Sequence, residues 1–336
     1  MAPVLLFTHD RLLEHDTGSW HPERAARLRS VLRGAESAGL DDALERRAPR
    51  PATREELVRV HRPELVDALE RFCAQGGGEL DADTIVVPAS WSAALLAAGS
   101  GLSAVEALEQ GEATAAFCAV RPPGHHATPR RPMGFCLFNN VAITAAHLAE
   151  KGEKVLIVDW DAHHGNGTQE AFYDDGRVLF VSMHQYPFYP GTGDLTETGC
   201  GAGEGFTVNL PFPAGTSGDT YRAAIEEVVV PAAERFAPTW VLVSAGFDAH
   251  RDDPLTDLGL SAGDYSDLTA RVVRLASPGR RICFLEGGYD LDALARSTAA
   301  CVGALAGEEL RPEAVTSGSQ GRSVVEQVRA LHHLAG

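Results

Sequence analysis

The sequence predicts an α/β protein built on one open parallel sheet with helices on both faces, in a single domain over residues 1–336. Three observations carry that prediction. Apolar runs of strand length recur without polar alternation, as expected of strands buried on both faces. Helix-length stretches separate many of them, and such alternation builds parallel sheets. No repeat, low-complexity linker or composition break divides the chain.

The predicted strands, in order, are VLLF (4–7), TAAFCAV (114–120), KVLIVD (154–159), RVLFVSM (177–183), FTVNL (206–210), TWVLVSAG (239–246) and RICFLEGG (281–288). The predicted helices are 21–39, 90–111, 139–152, 218–236, 261–276 and 290–307. Gly39 and Gly152 stand where helix C-caps are expected, because glycine enters the left-handed region without a Cβ penalty. The GGG at 76–78 reads as a loop.

Composition narrows the function. The formal charge is −17, from 29 Lys plus Arg against 46 Asp plus Glu. Such a surface repels phosphate backbones, so no nucleic-acid partner is expected, while cationic substrates are tolerated. The six cysteines form no CxxC pair, and several lie in apolar runs such as AAFCAV and RRICFLE. That is the pattern of buried free thiols in a reducing compartment, not of a disulfide framework. MAPVLLFTHD offers about five apolar residues before His9, too few for a signal h-region or a membrane span. A soluble cytoplasmic protein is therefore expected, with no membrane partner; oligomeric state is not encoded in any recognisable pattern.

Polar clusters follow the apolar runs directly: RPPGHHA, DWDAHHGNG, SMHQYPFYPGTGD, SAGFDAHRDDP and LEGGYD. In open α/β sheets, ligands bind beyond the carboxyl ends of the strands. Asp161 and His163 are two apart, so on extended backbone their side chains point the same way. They are candidates to share one ion, and Asp248, at another strand end, is a candidate third ligand. An isolated D-x-H is usually a cap or a turn; its company here favours a metal. Two carboxylates and one imidazole, without cysteine, suit Zn²⁺ with an open position, or Fe²⁺, Co²⁺ or Mn²⁺. His125 and His126 follow a rigid PPG and are candidates for general base and acid, since imidazole titrates near working pH. Asp159 and Asn166 are candidates to hold those two rings. Tyr289, after a Gly-Gly that allows close backbone approach, offers a phenol to a developing oxyanion.

Taken together, RPPGHHA, GFCLFNN, DWDAHHGNGTQ, PGTGD, AGFDAHRDDP and EGGY resemble the zinc-dependent histone deacetylase family, which includes acetylpolyamine amidohydrolases and acetoin-utilization proteins. The likeness is to class II and bacterial members and runs from HDTGSWHPER (15–24) to LEGGYD. It implies Asp161, His163 and Asp248 as zinc ligands, His125 and His126 as the catalytic pair, and Tyr289 as the oxyanion donor. Asp159 matches the partner of the first histidine. The second histidine's frequent aspartate is replaced by Asn166, which lowers the basicity expected of His126. Gly134, Phe135 and Tyr189 match the walls of an acyl-lysine tunnel. Structural potassium is implied at Asp159, Asp161, His163, Ser182 and Met183, with a second position at Phe172, Asp175, Val178 and Phe206. Arg24 is matched to an arginine lining an internal acetate channel, and Asp81 or Asp83 to a rim carboxylate.

The resemblance implies hydrolysis of an acyl-lysine peptide or protein, or of an acetylated small amine. Leu255 stands where polyamine-selective relatives carry a glutamate, which favours acyl-lysine over acetylpolyamine. A binuclear manganese hydrolase would need more Asp and His ligands. A silent acetyl-lysine-binding protein would not need every reacting group to be present.

Overall fold

The computed structural model describes residues 3–40, 43–318 and 320–334. Its strands, in chain order, are β1 (Val4–Phe7), β2 (Leu44–Arg47), β3 (Gly78–Glu79), β4 (Ile85–Val86), β5 (Ala115–Cys118), β6 (Val155–Asp159), β7 (Val178–Gln185), β8 (Thr207–Phe212), β9 (Trp240–Ala245) and β10 (Arg281–Leu285). Eight of them form one sheet in the order β2-β1-β5-β10-β9-β6-β7-β8, and every neighbouring pair is parallel. β3 and β4 make a separate antiparallel pair. All seven strands expected from apolar runs are present.

The unexpected strand of the sheet is β2. Its sequence, LERR, is charged, and no residue in it is fully buried. It is an edge strand held by backbone pairing to β1, with Val4 opposite Leu44; charged side chains there discourage pairing with another chain. The central strands behave oppositely. Val155, Leu156, Ile157, Val158, Val241 and Leu242 are inaccessible to solvent, and each such side chain contributes roughly 1.5–3 kcal/mol by burial.

The expected helices appear as Ala25–Ser37, Pro88–Glu109, Asn140–Glu150, Ala262–Val272 and Leu291–Ala306. Gly39 and Gly152 adopt positive φ (66° and 86°) just past two of them. The helix expected across 218–236 is interrupted. It runs Gly218–Ala224, widens to a π turn at Ile225–Val229, and resumes at Val230–Phe236. Pro231 has no N–H to give the carbonyl one α turn back, so the ladder must widen. Helix Pro88–Glu109 is long and apolar enough to cross a membrane by length and composition, but 72% of its most apolar stretch is buried within the protein. Of the cysteines, Cys200 is exposed and the other five are buried and free.

β5, β10, β9 and β6 are consecutive neighbours at the centre of the sheet. The loops that leave them are RPPGHHA, LEGGYD, AGFDAH and DWDAHH. Four segments far apart in the chain therefore open onto one point.

Candidate active site

β6 ends at Asp159, and the extended chain beyond it brings Asp161 and His163 forward; the loop after β9 brings Asp248. One ligand atom from each of Asp161, His163 and Asp248 lies within 4.8 Å of the other two. Both carboxylates are held from behind. Gly287 N–H donates to Asp161 Oδ2 (2.7 Å) and Ala162 N–H to Asp248 Oδ1 (2.7 Å). This leaves Asp161 Oδ1 and Asp248 Oδ2 facing His163 Nδ1 at 3.1 and 3.0 Å. Burial and the neighbouring Asp161 charge push the Asp248 carboxyl up. The Asp161 carboxyl is held well down instead, because the pull of His125 and His163 outweighs its burial. Two buried carboxylates converging on one imidazole are a donor set that fits a divalent cation. The cradle leaves no room for a side chain at Gly287, where a Cβ would stand 2.1 Å from Asp248 Oδ2.

The histidine pair lies beside this cluster, the two rings tilted at 41° with centroids 4.0 Å apart. His125 Nδ1 donates to Asp159 Oδ2 at 3.0 Å. His126 Nδ1 donates to Asn166 Oδ1 at 2.8 Å. An amide oxygen only accepts, so the His126 proton sits on Nδ1 and Nε2 is left with a free lone pair. The two rings are driven apart electrostatically. Burial pulls both down. For His125 the carboxylates of Asp161, Asp159 and Glu286 outweigh burial and hold it well above the usual histidine range. For His126 burial wins, reinforced by His125 and His163, and it stays well below that range. These surroundings favour the charged form of His125 and the neutral form of His126.

Tyr289 completes the cluster from the loop after β10. Its pKa is pushed well up, chiefly by burial, so the phenol keeps its proton and remains a donor. Asp253 Oδ2 accepts the Tyr289 N–H at 2.7 Å and anchors its backbone; burial raises the Asp253 carboxyl to about 7. The Arg27 guanidinium lies 4.8 Å from the centre of the Tyr289 ring, while its Nε donates to the Gly288 carbonyl at 2.6 Å.

Arg27 also corrects the expectation for Arg24. Arg24 caps its helix in extended conformation, and its guanidinium turns back to the Ser19 carbonyl at 2.8 Å near the surface. Arg27, one turn later, faces inward and is 1% exposed. The signal was available: three residues on from Arg24 is the side of the helix that Leu28 and Val31 bury. Glu286 was also passed over, although it lies inside LEGGYD. Its Oε2 accepts from Gly124 N–H (2.7 Å) and His125 N–H (3.1 Å), fixing the loop behind the histidines. Glu23 is buried in a two-bonded pair with Arg121, at 2.8 and 2.7 Å, and that pair ties the HPER segment to the RPPGHHA loop.

The residues expected to wall a tunnel lie close to the histidine pair and Tyr289. Tyr189 presents its edge to the His126 ring at 5.2 Å and is 39% exposed. Phe135 meets Tyr289 at 5.9 Å and His21 at 4.8 Å. Phe135 holds φ 68°, a strained value for a bulky residue that the surrounding packing must enforce. A Cβ on Gly134 would fall 2.5 Å from the His126 ring. Phe188, not expected, stacks on His163 at 5.4 Å. Leu255 is exposed, and its N–H, at 2.9 Å, shares Asp253 with that of Tyr289. The 81–84 turn reaches the rim too: Phe135 N–H donates to Thr84 Oγ1 (3.2 Å), and the His21 ring Nε2 bonds the Asp83 carbonyl (2.9 Å).

The residues matched to potassium fall in two groups. Ser182 pairs with Asp159 across β6 and β7, next to Met183, beside Asp161 and His163. Phe172, Asp175 and Val178 share a turn, Phe172 O accepting from Asp175 N–H and Asp175 O from Val178 N–H. Phe206 O accepts from Phe180 N–H beside them, near the start of β7.

Residues 21–305 match the model of the histone deacetylase domain. A probable deacetylase of Archaeoglobus fulgidus is 41% identical over 309 residues, covering 90% of this chain and 86% of that one. Histone deacetylase 14, chloroplastic, of Arabidopsis thaliana is 38% identical over 327 residues, covering 91% and 77%. The crystal structure of the HDA15 HD domain matches with a TM-score of 0.92 at 37% identity, over 99% of this chain and 95% of that one.

Proposed function

Because this chain belongs to the histone deacetylase family, whose members hydrolyse acetylated amides, we propose that it is a zinc-dependent deacylase converting Nε-acetyl-lysine, or a related acyl-lysine, to acetate and free amine. The observation that carries the reading is the convergence of Asp161, His163 and Asp248 beside a histidine pair of opposite charge preference and a protonated tyrosine. Residues 1–336 act as one catalytic domain.

Asp161, His163 and Asp248 would hold the ion, zinc or else iron(II) or cobalt(II), which when bound polarises the acyl carbonyl and acidifies water. His126 Nε2 accepts the proton of the attacking water as a neutral base. His125, charged against Asp159, stabilises the negative charge that grows beside it. The Tyr289 hydroxyl donates to the carbonyl oxygen as it becomes an oxyanion, a contact typically worth about 3–4 kcal/mol. The proton held by His126 then passes to the departing lysine nitrogen. Phe135 and Tyr189 clasp the apolar methylenes and exclude water. Potassium at the two groups around β7 would stiffen the loops behind the ligands.

Leu255 supports acyl-lysine over acetylpolyamine, since it offers an apolar rim where a distant ammonium would need a carboxylate. The acidic surface disfavours nucleic acid as a partner, and five buried free thiols suit a reducing cytoplasm. The test is a rate comparison, with metal loaded, on acetyl-lysine peptides, longer acyl-lysines and acetylated spermidine. The highest kcat/KM is expected on an acyl-lysine peptide; a preference for acetylspermidine would reverse the substrate assignment.

A further inference from the structure

Behind the tunnel wall that His126 and Tyr189 form lies a groove of about 580 Å³, lined among others by Thr128, Arg130, Arg131, Asn166, Tyr173 and Thr192. It shares residues with the site. Asn166 holds His126 Nδ1 at 2.8 Å on one side and lines the groove on the other. Its Nδ2 also donates to the Met133 sulfur at 3.5 Å, so the tunnel-wall segment Met133–Phe135 and the groove rest on one amide. Thr128 follows His126 by two residues, Arg131 precedes Gly134 by three, and Thr192 follows Tyr189 by three.

Two arginines and two glutamates line this groove, so it is balanced in a chain of formal charge −17. Arg130 and Arg131 are exposed, and neither guanidinium forms an ion pair among the described residues. Their backbone is fixed, with both N–H groups donating to Thr128 Oγ1 at 3.2 and 3.1 Å. Two acids also border the groove. Glu197 is already engaged by Gly193 N–H and Asp194 N–H at 3.2 Å and by the Gln169 amide at 2.5 Å. Glu170 is exposed and offsets one arginine. Two exposed guanidinium forks without an ion partner among the described residues thus stand with hydroxyl and amide side chains in one groove. Guanidinium forks match carboxylates.

We infer that this groove recognises a carboxylate on the substrate chain near its acyl-lysine, with Arg130 and Arg131 as the specificity-determining residues. The inference rests on the deacylase reading above. An extended peptide advances about 3.4 Å per residue. A lysine threaded past Tyr189 therefore places neighbours a few positions away over Thr192 and Arg131. Opposite, the 81–84 turn presents Asp81 and Asp83, so the mouth is polarised and favours one direction of the peptide over the other.

The experiment uses three acetyl-lysine peptides alike except for flanking Glu, Gln or Lys, with the wild-type protein and the double variant Arg130→Gln, Arg131→Gln. Exposed pairs are individually weak, so kcat/KM for the Glu peptide should exceed that for the Gln peptide by about five-fold, mostly through KM, and shrink with added salt. The double variant should lose that ratio, and Arg131→Glu should invert the order of the Glu and Lys peptides. Equal rates on all three peptides in the wild type would overturn the inference. So would a variant that slows all three alike, because the arginines would then only shape the loop. Failure on the Gln peptide itself would strike at the deacylase reading instead, and fluorescence anisotropy of labelled peptides would still report the flank preference.

Discussion

His61 is 1% exposed and lies under the loop that carries the histidine pair. Its Nδ1 donates to the Thr128 carbonyl at 3.0 Å, and its Nε2 accepts from Asn139 N–H at 2.9 Å. Both ring nitrogens are spoken for in the neutral tautomer; a second proton would leave Asn139 N–H facing a donor. Burial accordingly lowers the pKa from 6.5 to about 4, against a smaller opposite pull from the Thr128 carbonyl. With the folded value below the unfolded one, the unfolded chain takes up the proton first as pH falls. The stabilisation is complete above the unfolded pKa and drains away as pH drops toward the folded one. Between about pH 7 and about pH 5 that loss is about 2 kcal/mol for this one residue, from the two pKa values and 1.36 kcal/mol per unit. His61→Gln keeps a donor and an acceptor but does not titrate. In denaturant unfolding at both pH values, the wild-type advantage over the variant should shrink by that amount. His15, lowered to about 4 mainly by burial, titrates alike in both proteins and cancels. Parallel pH profiles for the two proteins would refute the argument.

Tyr289→Phe should retain stoichiometric zinc by metal analysis and lose about 100-fold in kcat, because only the oxyanion donor is removed. Asp248→Ala should abolish zinc binding, read by atomic absorption after dialysis, since it deletes one of the three proposed ligands. Gly287→Ala drives a methyl to within 2.1 Å of Asp248 Oδ2 and 2.6 Å of Asp161 Oδ2. Zinc affinity should fall roughly 10–100-fold by competition with a chelating dye, as for other disturbances of ligand orientation. Glu23→Gln removes the negative partner of the fully buried Arg121; a stability loss of roughly 3–5 kcal/mol is expected in chemical unfolding.

Much of the scaffold was legible because a parallel sheet buried on both faces writes itself as uninterrupted apolar runs, as VLIV and VLLF do. β2 escaped because an edge strand has no such run to write; LERR is held by its neighbour's backbone. The helix at 218–236 was visible as a periodicity, but the widening before Pro231 was not, since periodicity reports a face and not a hydrogen-bond count. The motif residues stood out because polar groups at buried strand ends need a purpose. Arg24 and Arg27 differ by one helical turn, and the family match selected the one that the cap conformation turns outward.

The residues by themselves supplied the candidate groups: two carboxylates and an imidazole proposed for a cation, two imidazoles for protons, one phenol for an oxyanion. The strand order belongs to the tertiary structure alone. Placing β10 and β9 between β5 and β6 brings RPPGHHA, LEGGYD, AGFDAH and DWDAHH to one point, though the chain separates them by up to about half its length. Tertiary packing also chose which histidine favours the charged form. That choice depends on the carboxylates gathered around each ring and on how completely water is excluded, and neither is a property of local sequence.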